Sequence, residues 1–327
     1  MIPENKQAAV KMALRDSFGV NEFEEIKQMT AGLSPDLVFR IIVKGKPYLL
    51  RLILRTTTTY EARHFASMKA GAEIGIAPQI RYMNIEERIL ITDFIEAHHF
   101  PLEKAKNIMP GIVKRLHSLP PFSRTIIWLD FVDRSVTRIQ NAKILPESVT
   151  GEIFQLYKLI SEIYPRDQDL VSSHNDLKPE NYIFDGEKAW LVDWEAAFLN
   201  DRYMDLSVIA NFVVKNDKDE EEYLRTYFGE AVGEYREARF FLMRQIVHMS
   251  YFSFIMMLAT KGNAVELDNE VIDFRDYHDR MWAGEITLVS DKERMRYARV
   301  HMEQALRNMQ TKRFEDSIDF VSRYHKA

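Results

Sequence analysis

Three oxygen-bearing side chains, Asp176, Asn181 and Asp193, fall within one short stretch of this chain. The stretch reads Ser173-His174-Asn175-Asp176-Leu177-Lys178-Pro179-Glu180-Asn181, then Tyr182-Ile183-Phe184-Asp185-Gly186-Glu187-Lys188-Ala189-Trp190-Leu191-Val192-Asp193-Trp194-Glu195. Residues 182–184 and 189–192 are short apolar runs, and Asp185-Gly186 between them is a strong turn signal. A hairpin closed there by a loop of about four residues sets Asn181 nearly opposite Asp193. An amide oxygen and a carboxylate then meet at the open end of one hairpin. Both are hard ligands, suited to Mg2+ bound partly through the phosphates of a substrate. Asp176 lies on the loop leading into the hairpin and reaches the same place without being a metal ligand. This combination suits phosphoryl transfer, in which a loose transition state leaves the protein mainly to position groups and neutralise charge. In that chemistry Asp176 orients an acceptor hydroxyl and takes its proton. Asn181 and Asp193 hold Mg2+ against the phosphates of ATP, Lys178 approaches the transferred phosphate, and His174 props the loop.

The surrounding pattern predicts what must position these groups. Residues 6–18 read as a helix. Strand signals follow at 24–30, 37–43, 48–54, 79–83 and 88–95, with a helix at 57–73 between the third and fourth. Ala31-Gly32-Leu33-Ser34-Pro35-Asp36 and Lys44-Gly45-Lys46-Pro47 punctuate the first three as turns. The first hundred residues therefore predict a small antiparallel sheet with one inserted helix. Beyond residue 99 helical patterns dominate, interrupted by the β segment at 182–193. Residues 180–327 contain no proline, as suits a helix-rich region. The expected class is α+β and bilobal: an N-terminal nucleotide-binding lobe over 1–97 and a C-terminal catalytic and acceptor-binding lobe over 98–327, with a cleft between them.

Composition narrows the functions. The chain has 327 residues, 46% hydrophobic and 28% charged, an ordinary globular balance. A formal net charge of −5 supplies no basic field for a nucleic acid. There is no cysteine, so disulfides, thiol catalysis and cysteine-based zinc sites are excluded. The N-terminus lacks the apolar core of a signal peptide. The greasiest run, residues 249–258, is too short to span a bilayer and reads as a buried core helix. The expectation is a soluble, cytoplasmic protein with no membrane partner. Nothing resembles a heptad zipper or marks an oligomer interface.

The loop His174-Asn175-Asp176-Leu177-Lys178-Pro179-Glu180-Asn181 resembles the catalytic loop shared by protein kinases and the aminoglycoside phosphotransferase/choline kinase superfamily. Asp193-Trp194-Glu195 departs from the Asp-Phe-Gly of protein kinases, and no Ala-Pro-Glu follows. Asn200-Asp201-Arg202-Tyr203-Met204-Asp205-Leu206 resembles segments of both aminoglycoside kinases and bacterial choline kinase relatives. The resemblance implies a protein-kinase-like fold, ATP and Mg2+ as cofactors, and a small-molecule hydroxyl acceptor, cationic in the choline- or ethanolamine-like reading. An aminoglycoside or other sugar-hydroxyl kinase is the alternative, and a non-catalytic ATP-binding module the alternative of another class. It implies further that Arg51, inside the apolar run 48–54, contacts ATP phosphates with Glu61 as its carboxylate partner; a solvent-facing edge-strand arginine is the plainer reading. Gly32 and Ser34 fall in the phosphate-covering loop, and adenine pairs with backbone near Asp93 and Ile95. Trp194, Glu195, Tyr251 and Trp282 are candidates for the acceptor pocket, with aromatic core as their plainer role. Asp205 is expected to brace the catalytic loop, and Asp201 and Arg202 to join structural ion pairs.

Overall fold

The computed structural model describes residues 2–29, 36–54, 58–267 and 270–325. Its strands are β1 (Glu25–Met29), β2 (Leu37–Val43), β3 (Lys46–Leu52), β4 (Ile80–Asn84), β5 (Ile89–Asp93), β6 (Leu170–Ser173), β7 (Tyr182–Phe184), β8 (Ala189–Leu191) and β9 (Phe198–Asp201). Its helices are α1 (Glu4–Phe18), α2 (Thr58–Glu73), α3 (Leu102–His117), α4 (Trp128–Ala142), α5 (Glu147–Ile163), α6 (Arg202–Val213), α7 (Asp217–Phe228), α8 (Glu234–Thr260), α9 (Phe274–Trp282), α10 (Asp291–Met309) and α11 (Lys312–His325). These divide into two compact units. One comprises residues 1–100 with 180–197, the other 101–179 with 198–327.

The first unit is built on a five-stranded antiparallel sheet in the order β1-β2-β3-β5-β4. β2 and β3 are joined at Lys44-Gly45, both with positive φ (52° and 70°), the geometry that lets a two-residue hairpin follow the sheet twist. The Glu24 carboxylate accepts the Gly45 N–H and holds the turn. The strands alternate faces. Phe39, Ile41, Val43, Leu50, Leu52, Ile89 and Ile91 bury one face against Val10, Ala13 and Leu14 of α1. Val38, Leu49, Arg51, Leu90 and Thr92 take the other face, which walls a cavity of about 340 Å³. β3 is the central strand, so Arg51 is no edge residue; its side chain is 14% exposed.

The hairpin of β7 and β8 belongs to this unit, because its bonds run there. Leu191 N–H donates to Ile76 O (2.7 Å), His98 N–H donates to Phe184 O (2.8 Å), and Phe100 stacks on Phe184 at 4.4 Å. Trp194 is buried where a side chain on Gly71 of α2 would have to sit. A Cβ added there lies 2.5 Å from the indole ring.

The second unit is centred on α8, which packs against α4, α5, α6, α10 and α11. By length and composition α8 could cross a membrane, but 67% of its apolar window is buried inside the protein. The expected core helix at 249–258 is thus the later part of a longer one. β6 and β9 form a two-stranded antiparallel ladder that the sequence pattern did not indicate. α6 is buried on every side from Tyr203 to Val213, as befits a central helix.

Three imidazoles meet where α8, α9 and α10 pack. His248 Nδ1 and His301 Nδ1 lie 2.8 Å apart, and the His278 ring is 5.2 Å from that of His301. His278 Nδ1–H donates to Phe274 O at 2.8 Å. Burial holds all three pKa values down, with Arg244, His278 and Arg307 adding to the effect on His248; His278 is lowered to about 3. These groups fold neutral and protonate on unfolding. Their stabilising contribution is complete above the unfolded value of about 6.5 and is lost as pH falls below it, at about 1.4 kcal/mol per pH unit for each histidine. The urea midpoint of the second unit's transition is therefore expected to fall between pH 7 and pH 5; an unchanged midpoint would refute the neutral cluster. Gly71→Ala should destabilise the first unit by about 1–2 kcal/mol, read as a lowered unfolding midpoint, because the indole must move to admit the methyl.

Candidate active site

The site begins where β6 ends. Ser173 is paired with Phe198 of β9, and the loop 174–178 follows. Two successive backbone N–H groups at its start, those of His174 and Asn175, donate to the two oxygens of Asp205 at 2.9 and 2.7 Å. Asp205 is fully buried in the first turn of α6, and His117 Nε2 stands 3.1 Å from it. His117 Nδ1 in turn meets Tyr227 OH at 2.6 Å. Asn175 takes a left-handed conformation (φ 66°). Its side chain holds that conformation by donating to Ser173 O and Phe198 O and accepting from Asn200 Nδ2 at 2.7 Å. The loop is thus pinned from below and from its own ladder. Leu177 is fully buried beneath it, while Asp176 and Lys178 stay partly exposed and pair at 3.0 Å. His174 is buried, and its bond to Asp205 runs through the backbone N–H.

The chain passes from the second unit to the first between Pro179 and Glu180. Asn181 closes a 3-10 turn and is buried. Val192 N–H donates to Asn181 O (2.9 Å), which extends the ladder of β7 and β8 by one step and brings Asp193 to the side of Asn181. Asp185 closes the far end of the hairpin by accepting from Glu187 N, Lys188 N and Trp190 Nε1. Asp193 is exposed and left-handed (φ 61°, ψ 61°). A non-glycine residue held there costs of order 1 kcal/mol and persists only where its surroundings impose it. Asp193 also lines the 340 Å³ cavity. One amide oxygen and one carboxylate fit a hard divalent ion that completes its shell with phosphate oxygens and water. Among the described residues, no group of three His, Cys, Asp or Glu side chains forms a metal cage of its own.

The cavity is a mainly apolar slot. Val38, Leu49 and Leu90 supply the sheet wall, Ile183 and Leu191 come from the hairpin, and residues 94–97, which follow β5 outside any ladder, line it too. Arg51 is a charged member of the wall. Its Nε and Nη2 both reach Asp36 Oδ2, at 2.9 and 2.8 Å, and Nη2 reaches Glu195 Oε1 at 2.7 Å.

A family model for phosphotransferase enzymes matches residues 25–241, two thirds of the chain. The chain belongs to the phosphotransferase enzyme family. Its fold is similar to that of a choline/ethanolamine kinase family protein from Mesorhizobium loti (20% identity, TM-score 0.67, covering 97% of this chain and 99% of that one). It is also similar to a choline kinase from Cryptosporidium parvum (14%, TM-score 0.64, 98% and 99%). A spectinomycin phosphotransferase in complex with ADP and spectinomycin shares it too (14%, TM-score 0.54, 90% and 98%). These likenesses show the kinase-like α+β fold. A protein of Metamycoplasma hominis is 28% identical over 134 residues, 40% of this chain; the match spans only a quarter of that relative's length.

In this phosphotransferase the remaining expected residues fall in several places. Gly32 and Ser34 lie outside the described residues, as does the side chain of Glu61. Arg51 finds its carboxylates in Asp36 and Glu195. Glu195, a candidate for the acceptor pocket, meets the Arg51 guanidinium from the 3-10 turn after Asp193. Trp194 lines the same cavity and is buried against Gly71 of α2. The Asp93 carboxylate is engaged by Arg81 at 2.6 and 2.9 Å, while Asp93 and Ile95 both line the cavity. Tyr251 is half-buried against Tyr297 and His301, and Trp282 lies near Phe212; both sit among aromatic residues of the second unit.

Three residues of this network carried little sequence signal. His117 lies far upstream of the loop it supports. Asn200 reads as one more residue of a resemblance. Asp36 reads as a turn residue, although β2 begins just after it and pairs Val38 with Arg51. Removing the Asp205 carboxylate strands two buried N–H groups and His117. Asp205→Ala is therefore expected to cost about 3 kcal/mol of stability and to lower turnover more than nucleotide affinity. Thermal unfolding and steady-state kinetics check this, and wild-type behaviour in both would remove the bracing role.

Proposed function

We propose that this protein is an ATP- and Mg2+-dependent kinase acting on a hydroxyl of a small molecule. The observation that supports the reading is the Val192 N–H to Asn181 O bond, which pairs Asn181 with the residue before Asp193, on a hairpin whose Asp193 lines the same apolar cavity as Arg51. An adenine ring suits the slot and the backbone that leaves β5 at 94–97; phosphates suit the Arg51 guanidinium in its wall. In the transfer the acceptor oxygen forms a bond to the γ-phosphorus as the bond from that phosphorus to the β–γ bridging oxygen breaks. The hydroxyl proton passes to Asp176 and ADP leaves. Mg2+, when bound, neutralises charge on the phosphates. Asn181 and Asp193 are the residues that would hold it. Lys178, paired with Asp176 at 3.0 Å, keeps the base oriented. All three positions keep the residue types the chemistry needs, which weighs against a non-catalytic module.

The acceptor favoured here is a choline- or ethanolamine-like alcohol, supported by the Asp193-Trp194-Glu195 triplet and by fold likeness to choline/ethanolamine kinases over nearly the whole chain. One observation favours an aminosugar instead. A cleft of about 820 Å³ in the second unit is lined by Asp217, Glu221, Glu234, Glu237, Asp316 and Asp319. Arg313 and Arg323 share that cleft, however, and neither Asp176 nor Lys178 lines it.

ADP release measured with choline, ethanolamine, thiamine, homoserine and aminoglycosides tests the reading. Turnover is expected with choline or ethanolamine. Turnover with an aminoglycoside alone would move the assignment to sugar hydroxyls, and ATP binding without any turnover would make the protein a binding module. Asp176→Asn is expected to lower kcat by about 100-fold or more while ATP affinity stays within about twofold.

A further inference from the structure

The Arg51 guanidinium is held more firmly than a phosphate-binding arginine needs to be. Two carboxylates grip it from opposite parts of the chain. Asp36 precedes β2, and its side chain is 1% exposed. Its Oδ2 takes both Nε and Nη2 of Arg51, while Oδ1 accepts the N–H of Leu54 at 3.2 Å. Asp36 therefore ties the start of β2 to the end of β3 as well as to the guanidinium. Glu195 stands two residues beyond Asp193 and takes Nη2 at 2.7 Å. These bonds use one edge of the guanidinium. Among the described residues, none engages Nη1.

A planar guanidinium offers its donors in fixed directions. Once Nε and Nη2 are committed, the plane cannot turn, and Nη1 is the donor nitrogen left for a ligand in the cavity that Arg51 lines. Without the carboxylates, the long arginine side chain would sample many rotamers, and phosphate binding would have to order it. We infer that Glu195 and Asp36 are positioning residues that fix the Arg51 guanidinium so that Nη1 is its single donor to a nucleotide phosphate. In this arrangement Glu195 holds the arginine from the same short turn that begins with Asp193, so one segment sets both the cationic and the anionic wall of the phosphate site. The inference rests on the nucleotide reading of this cavity.

The test is a double-mutant cycle on the full-length protein, read by equilibrium binding of ADP and by KM for ATP. Arg51→Ala and Glu195→Ala are each expected to weaken ADP binding and raise KM by about tenfold. The double variant should be no weaker than Arg51→Ala alone, because Glu195 acts only through the arginine. Glu195→Gln keeps an oxygen for Nη2 and should recover affinity to within about threefold of wild type. Asp36→Asn should behave like Glu195→Gln and reports should Glu195→Ala fail to fold. Additive losses in the double variant would overturn the inference, as would a folded Glu195→Ala protein that binds ADP like wild type. A wild-type protein that binds no ADP would instead overturn the nucleotide reading itself, and the two failures are distinct.

Discussion

The structure turns on a carboxylate that never meets solvent. Asp205 is fully buried, and its two oxygens accept consecutive backbone N–H groups at the head of the loop that carries Asp176. Two neighbouring N–H groups point the same way only if the backbone turns sharply, and here that turn includes a left-handed Asn175. The strain is tolerable because Asn175 makes its own bonds to Ser173, Phe198 and Asn200. His117 stands against the same carboxylate and Tyr227 against His117, so α3, α6 and α7 all contribute to one anchoring point. A loop held in this way keeps Asp176 partly exposed yet directed, as the acid–base role proposed for it would require.

A similar economy governs the first unit. One guanidinium in the wall of its cavity meets Asp36 and Glu195, and Asp193 lines the same cavity. On the proposed reading such a site suits a polyphosphate whose charge is shared with a divalent ion, with Asn181 and Asp193 as the residues that would hold that ion. The sheet makes this possible by alternation alone. Leu50 and Leu52 turn toward α1, so Arg51 between them turns the other way, into the cavity.

How much of this was legible follows from the range of each interaction. The strand at 37–43 is found where its β-branched and aromatic run lies, and the hairpin at 182–191 where Asp185-Gly186 marks the turn. Both depend on neighbours in sequence. So does the meeting of Asn181 and Asp193, since a short hairpin fixes its own register. The ladder of β6 with β9 was not legible, because four-residue strands about thirty residues apart carry no distinctive pattern. Nor was the choice of Asp36 and Glu195 as partners of Arg51. The first depends on the register of β2 with β3, and the second on a 3-10 turn that no side-chain pattern announces. α3 likewise continues through Pro110, an interior proline that a propensity argument would take as a stop.

The segment 200–206 shows why a resemblance can be specific and still leave the acceptor open. Asp201 caps α6 through the Tyr203 N–H, and its other oxygen is held by Arg239 at 2.6 Å and Tyr164 at 3.0 Å. Burial raises the Asp201 pKa, against the pull of Arg239. Arg202 pairs with Asp169 at 3.4 Å, and Asp205 anchors the loop. Each charged group in the segment already has a partner inside its own unit, where breaking a buried pair costs more than the pair contributes. Residues under that constraint are dictated by the fold they hold together. The acceptor is chosen by surfaces that bear no such structural duty, which is why a motif this close to the chemistry names the reaction and leaves its second substrate to be measured.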